Sequence, residues 1–325
     1  ENMLFENEIE LFSASYKEIL RRIDRIDPVK YAKSRNYANG AVSYLSPYIS
    51  RGVITTKFVF THLIERGIHP ERMEKFIQEL AWRDYWQQVW VHRKDAINSD
   101  LKNRQEPVSN FTIPKGIIEA KTGVEAIDKG ILDLYRNGYM HNHMRMYVAS
   151  VACNMARSHW KVPAKWMYYH LLDADWASNA LSWQWVAGAN SQKKYYANQE
   201  NINKYFCSNQ KNTYLDQSYG AIAEMNIPEE LSETIDMVIE TELPQKAQVK
   251  IDVSLPTLIY NFYNLDLNWR RDKNLNRILL LEPSIFKQYP VSKNSIDFML
   301  RLAENIDGIQ IFVGEFKELK STYNL

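Results

Sequence analysis

Asp173-Ala-Asp-Trp-Ala-Ser-Asn-Ala-Leu-Ser-Trp-Gln-Trp185 is the stretch on which the reading of the fold turns. Read as a helix, Asp175, Asn179 and Trp183 fall four apart and share one face, while Trp185 projects to nearly the opposite side. One helix thereby offers a carboxylate, an amide and an indole to one neighbour, and a second indole to another. Buried polar groups cost free energy unless they find partners, so a plain core helix would carry Leu and Ile here. Taken alone, the pattern suits a polar, half-buried core helix as well as a cofactor site.

The bulk composition narrows the classes. A chain of 325 residues is long enough for one large domain or two smaller ones. Its formal net charge of +1 provides no global basic field, so any phosphate binding must come from a local patch. Cys153 and Cys207 make neither a disulfide framework nor metal spacing, which predicts a reducing, cytoplasmic setting. No run of 18 apolar residues and no secretory signal pattern occurs, so no membrane association is expected. Aromatic residues are the unusual feature, at 13%, and eight of the nine Trp lie between Trp82 and Trp185. Such a concentration fits an aromatic helical core, a stacking surface for a flat ligand, or a route for electrons.

Residues 1–205 read mainly as helices, with periodic stretches at 5–26, 53–66 (stopped by Gly67), 71–91, 123–137, 141–160 and 163–187. Residues 95–115, with Pro107 and Pro114, read as a long loop. Residues 207–255 are polar and weakly periodic, as linker and surface segments are. Beyond them, Arg277-Ile-Leu-Leu-Leu-Glu282 and Ile309-Gln-Ile-Phe-Val-Gly314 are short strand-like runs flanking a helical stretch at 292–305. That order predicts a parallel pair with a crossover helix. It has no glycine-rich phosphate loop and reads as a small packing element.

Three further segments carry chemistry-bearing residues. Glu79-Leu-Ala-Trp-Arg-Asp-Tyr-Trp86 sets Glu79, Trp82 and Trp86 along one stripe with Arg83 beside it. In Met140-His-Asn-His-Met-Arg-Met146, Asn142 and Met146 share a face and Arg145 points elsewhere, toward a carboxylate such as Asp173 or Asp175. His141 and His143 would diverge on a helix, which argues against a metal pair, and each reads as a structural histidine. In Ser43-Tyr-Leu-Ser-Pro-Tyr48, Ser46 is a candidate N-cap with Pro47 at the first helical position. Helix N-termini also bind phosphate, and capping explains the pattern equally well.

Together these four segments, in this order and spacing, resemble the photolyase and cryptochrome family across roughly residues 5–206. The resemblance implies a mainly α fold: a helical photolyase-type FAD-binding domain over 1–206, followed by a linker and a small β-α-β extension over 207–325. It implies FAD as cofactor, folded into a U. Ser43, Leu45 and Ser46 match the phosphate-side motif, and Tyr31 and Arg83 match flavin-pocket positions. Arg145 with Asp173 looks like the ion pair beside the isoalloxazine, Asp175 the acid at its polar edge, and Asn179 the residue facing flavin N5. Asn142 is counted with the cofactor contacts as well. An amide at N5 leans toward a repair-type flavin that cycles through the reduced anion.

Glu79, Trp82, Asn142, Met146 and Trp185 match all five positions that contact the flipped-out dimer in cyclobutane-dimer photolyases. Extruding a damaged pair costs a few kcal/mol, less than for an intact pair. The resemblance therefore implies light-driven repair of cyclobutane pyrimidine dimers in UV-damaged DNA by electron transfer from reduced FAD. A blue-light sensor of the cryptochrome type, with a protein partner in place of DNA, is the alternative. Trp183 and Trp160 match the inner and middle members of the family's tryptophan chain. The loop at 100–115, where the outer member is expected, contains no Trp, leaving Tyr135, Tyr139 or Tyr147 as substitutes. His143 stands where many members have Arg, and Asn198-Gln-Glu-Asn-Ile-Asn203 replaces the family's usual segment. The N-terminal antenna domain has no counterpart in the sequence, so no antenna chromophore is expected. Arg157, Lys161, Lys165, Lys193, Lys194, Tyr195 and Tyr196 are candidates for a DNA-facing rim, or for a merely solvated face.

Overall fold

The structure, a computed structural model, describes residues 10–325. Helices dominate through residue 206, and several begin at a side-chain cap, as at Asp27, Thr55, Asp175 and Asn198. Tyr16–Asp24 buries Ile19 and Ile23, with Glu18 in its first turn and Arg21 and Arg22 in its last. The stretch expected at 5–26 is therefore shorter. Ser15 takes the extended cap position, Phe12 packs against Tyr44, Tyr48 and Tyr139, and residues 5–9 lie outside the described residues. Thr55 caps Thr56–Glu65 by accepting from Phe58 N, and Gly67 beyond its end has φ +80°. Glu74–Arg93 runs for 20 residues and packs on the Trp176–Val186 helix.

The run expected at 163–187 is two helices, Lys161–His170 and Trp176–Val186. Asp175 breaks it: its carboxylate accepts from Ser178 N at 3.1 Å and caps the second helix, a bond a mid-helix Asp could not make. Helix 141–160 is shorter too. Asn142–Ser150 widens into a π turn at Val151–Met155 and stops, with Arg157 at φ +55°. Within the 95–115 loop a two-residue strand, Ile113–Pro114, pairs antiparallel with Thr234–Ile235. Residues 207–255, expected as linker and surface, are thus tied to the helical body, with Tyr219–Glu224 forming a helix and Met225 O accepting from Arg157 Nη2.

At the C-terminal end, Asn276–Leu281 and Ile309–Val313 pair in parallel around the Lys293–Ala303 helix. Thr257–Tyr260 adds a third parallel strand, giving the order 257–260, 276–281, 309–313. Four residues after Pro256 are too short a run for strand periodicity to reveal. One hydrophobic cluster runs from Ile19 through Trp160, Trp166 and Trp176 to Phe298. Gly52 sits at φ +67° where a Cβ would meet Tyr263 O at 2.2 Å, so only glycine permits this approach of the helical body to residues 261–265. Among the described residues, no helix is long and apolar enough to cross a membrane.

Candidate cofactor and ligand site

Arg145 and Asp173 form a two-point ion pair, with Nη1 to Oδ1 at 3.1 Å and Nη2 to Oδ2 at 2.7 Å. Arg145 Nε donates to Met140 O at 2.7 Å, and its guanidinium lies 5.5 Å from the Tyr139 ring centroid. Burial raises the Asp173 carboxyl, but Arg145 and the Ser46 hydroxyl more than offset it, and the net shift is downward. Ser46 Oγ donates to Asp173 Oδ2 at 2.6 Å. Three motifs read separately from the sequence therefore meet at one carboxylate. Ser46 is not the expected N-cap: Leu45 takes that position, Ser46 is the first residue of Ser46–Ser50, and its hydroxyl is spent on Asp173. Leu45 is buried and Ser43 half-buried.

A second polar node forms around Asp175. Gln87 Nε2 donates to Asp175 Oδ1 at 2.6 Å, and Arg83 Nη2 stands 3.2 Å from Oδ2 while donating to Ile49 O at 3.2 Å. The Arg83 contact lacks hydrogen-bond geometry, so buried Asp175 Oδ2 has no hydrogen-bond partner, nor does Ser178 Oγ. Asn179 Nδ2 donates to Ala164 O at 2.7 Å. Gln87 was not singled out from sequence, although Glu79, Arg83 and Gln87 recur every fourth residue and so share a stripe. Tyr31 meets Phe76 edge-on at 5.0 Å, and burial raises its phenol.

A cleft of about 990 Å³ opens beside this stripe. Trp82 and Trp185 both line it, at 48% and 42% exposure, with Tyr85 and Trp86 beside them. Trp82 stacks on Trp86 at 5.1 Å and 26°. Large apolar side chains are rarely left exposed in such a group, so the patch is the candidate binding surface. Glu79, Asn142 and Met146 do not line this cleft. Glu79 instead pairs with Lys75 at 3.0 Å and Arg35 at 3.7 Å. Asn142 is exposed and Met146 half-buried.

Of the expected basic rim, Lys193 lines the cleft, joined by Arg93 and Lys102, which sequence reading missed. Lys194 borders a neighbouring hollow of about 350 Å³. Arg157 and Lys165 are turned to Met225 O and Gln288 O. Tyr195 packs against Trp185 at 6.0 Å. His143 bonds Asn36 O and Tyr195 Oη, a structural role. His141 accepts from His143 N through Nδ1, and burial pushes it down to about 4. No group of three metal-ligating side chains occurs among the described residues.

Trp183 and Trp160 are both buried. The rings nearest Trp160 are His159 at 5.6 Å and Trp176 at 6.3 Å. None of the three substitute tyrosines stacks on it: Tyr135 packs on Trp166, Tyr139 on Tyr44 and Tyr147 on Tyr195. In the 100–115 loop the exposed ring is Phe111, stacked on His159 at 5.3 Å.

Comparison with known proteins identifies the family. The FAD binding domain of DNA photolyase matches residues 76–278, more than half of the chain. The chain is 27% identical over 238 residues to the deoxyribodipyrimidine photo-lyase of Alkalihalophilus pseudofirmus, covering 70% of this chain and 48% of that protein. It is 32% identical over 165 residues to the enzyme of the same name from Agrobacterium fabrum, covering 49% of this chain and 34% of that one. The chain thus spans half or less of these relatives. A crystal structure of a class III photolyase from Agrobacterium tumefaciens superposes with a TM-score of 0.52 at 28% identity, over 58% of this chain and 42% of that one. A Synechocystis cryptochrome shares the fold, with a TM-score of 0.54 at 24% identity over 60% of this chain and 44% of its own. The chain belongs to the family of FAD-binding domains of DNA photolyases.

Proposed function

We propose that this protein repairs cyclobutane pyrimidine dimers in UV-damaged DNA, with light as the energy source and reduced FAD as the electron donor. The observation that carries the reading is the cleft on which Trp82 and Trp185, from two different helices, stand exposed together. Aromatic walls of this kind stack on bases extruded from a duplex.

The chain's own residues suit FAD. Asp175 Oδ2 is a buried acceptor lacking a hydrogen bond, which a flavin ring N–H would satisfy. The bond from Asn179 Nδ2 to Ala164 O fixes the amide and leaves Oδ1 as the group to face the flavin. Arg145, paired with Asp173, would hold positive charge beside the ring and favour its anionic form, and Ser43, Leu45 and Ser46 would lie on the phosphate side. Bound FAD supplies the light-driven one-electron chemistry. No side chain need act as a nucleophile. Glu79, Asn142 and Met146 lie off the cleft wall. A base-edge contact from them would require Glu79 to leave its ion pairs with Lys75 and Arg35 and the base to reach past the two indoles. The test is repair of an oligonucleotide carrying one thymine dimer under blue light by the flavin-loaded protein, lost in Trp82→Ala.

A further inference from the structure

Trp160 is held in an unusual setting for a buried indole. Its Nε1–H donates to Asp100 Oδ1 at 2.8 Å, and the same oxygen pairs with His159 Nε2 at 3.0 Å. Asp100 Oδ2 accepts from Gln105 N at 2.8 Å, and Gln105 Oε1 accepts from Trp160 N at 2.9 Å, so carboxylate and indole are clasped in register. Trp160 itself is fully buried, whereas Asp100 and His159 are 20% and 16% exposed and reach toward solvent. Beyond His159 the stack ends at Phe111, whose benzene ring is far harder to oxidise than indole.

We propose that Asp100 is the proton acceptor that traps an oxidised Trp160, with His159 as its positioning residue. This rests on the reading that Trp183 and Trp160 pass electrons to bound flavin. With bound flavin supplying the light-driven oxidation, Trp183 would lose one electron and be refilled by one electron from Trp160. The Trp160 radical cation, much more acidic than indole, transfers its Nε1 proton to Asp100 Oδ1. A neutral indolyl radical and a neutral carboxylic acid remain, and charge return to Trp183 is blocked. A thiol-class reductant later supplies one electron to Trp160, and the proton returns from Asp100.

Onward transfer to Trp176 is the competing path, and the electrostatics oppose it. Trp176 is fully buried, and its Nε1 donates to the neutral amide of Asn98 at 2.8 Å. A positive charge there has no carboxylate to offset it, whereas on Trp160 it does. An exposed outer tryptophan is therefore unnecessary: the proton leaves instead of the hole.

Transient absorption of the flavin-loaded full chain tests this. In the wild type, the spectrum of a tryptophan radical cation converts to that of the neutral radical, more slowly in D2O. A positioned base accelerates proton transfer by roughly 100-fold or more, so Asp100→Asn should slow the conversion by about that factor and shorten the life of the charge-separated state. Asp100→Glu should restore much of it, and Trp176→Phe should leave it unchanged. Conversion at the wild-type rate in Asp100→Asn, or loss of the radical in Trp176→Phe, overturns the proposal while leaving repair intact. Absence of any tryptophan radical despite bound flavin overturns both the trap and the electron chain on which it rests.

Discussion

At the scale of single residues, the account stands on a few buried charges that explain one another. Asp173 is 4% exposed and is shared by Arg145 and Ser46, so removing it strands a guanidinium. Asp173→Ala should cost about 3–5 kcal/mol in denaturant unfolding, more than Ser46→Ala. Burial pushes His141 and His170 each down to about 4 from an ordinary value of 6.5. Between those values the unfolded chain binds more protons than the folded one, so stability is full above pH 6.5 and falls as the pH drops toward 4. Partial exposure discounts the effect to on the order of 1–2 kcal/mol per histidine at pH 5. His170→Asn should flatten the dependence of the denaturation midpoint on pH, and an unchanged slope would contradict this. That Arg145 needs a carboxylate was legible, because a largely buried guanidinium demands one, whereas the choice of Asp173 over Asp175 came from the family resemblance. Gln87 and Asp100 were not legible: an amide on a helix or an acid in a loop looks the same whether it meets solvent or a buried partner.

At the scale of elements, periodicity found most helices but not the places where side chains interrupt them. Asp175 reads as one face of a continuous helix, yet its carboxylate caps Trp176–Val186 and also meets Gln87. Asp175→Ala should cost about 1 kcal/mol of helix capping, while lowering flavin retention disproportionately. Thermal melting of apoprotein beside flavin content separates the two. Gly138 ends Glu125–Asn137 at φ +65°, where an added Cβ would lie 2.6 Å from Leu172 Cγ. Gly138→Ala should therefore destabilise by roughly 1–3 kcal/mol through both strain and crowding. The two longer parallel strands were legible as short apolar runs. Thr257–Tyr260 was not, because its pairing with Asn276–Leu281 is a tertiary fact.

For the molecule as a whole, the proposed function rests on the exposed aromatic cleft and its cationic rim. Arg93, Lys102 and Lys193 line it and are spread over 100 residues of sequence, which is why composition with net charge +1 conceals them. If each neutralises one phosphate, the logarithmic salt slope of binding to damaged DNA should be about −3, falling by about one in Lys102→Ala. The family and both aromatic walls were legible from sequence. The cleft's true rim was not, since it assembles only when Glu74–Arg93 packs on Trp176–Val186. The central claim meets its most direct test in single-turnover repair: reduced, flavin-loaded protein, one thymine dimer in an oligonucleotide, blue light, and a count of restored thymines. The account predicts light-dependent restoration, reduced at least about tenfold in Trp82→Ala and in Trp185→Ala through lost base stacking. Flavin that binds and reduces while no thymines are restored would contradict it.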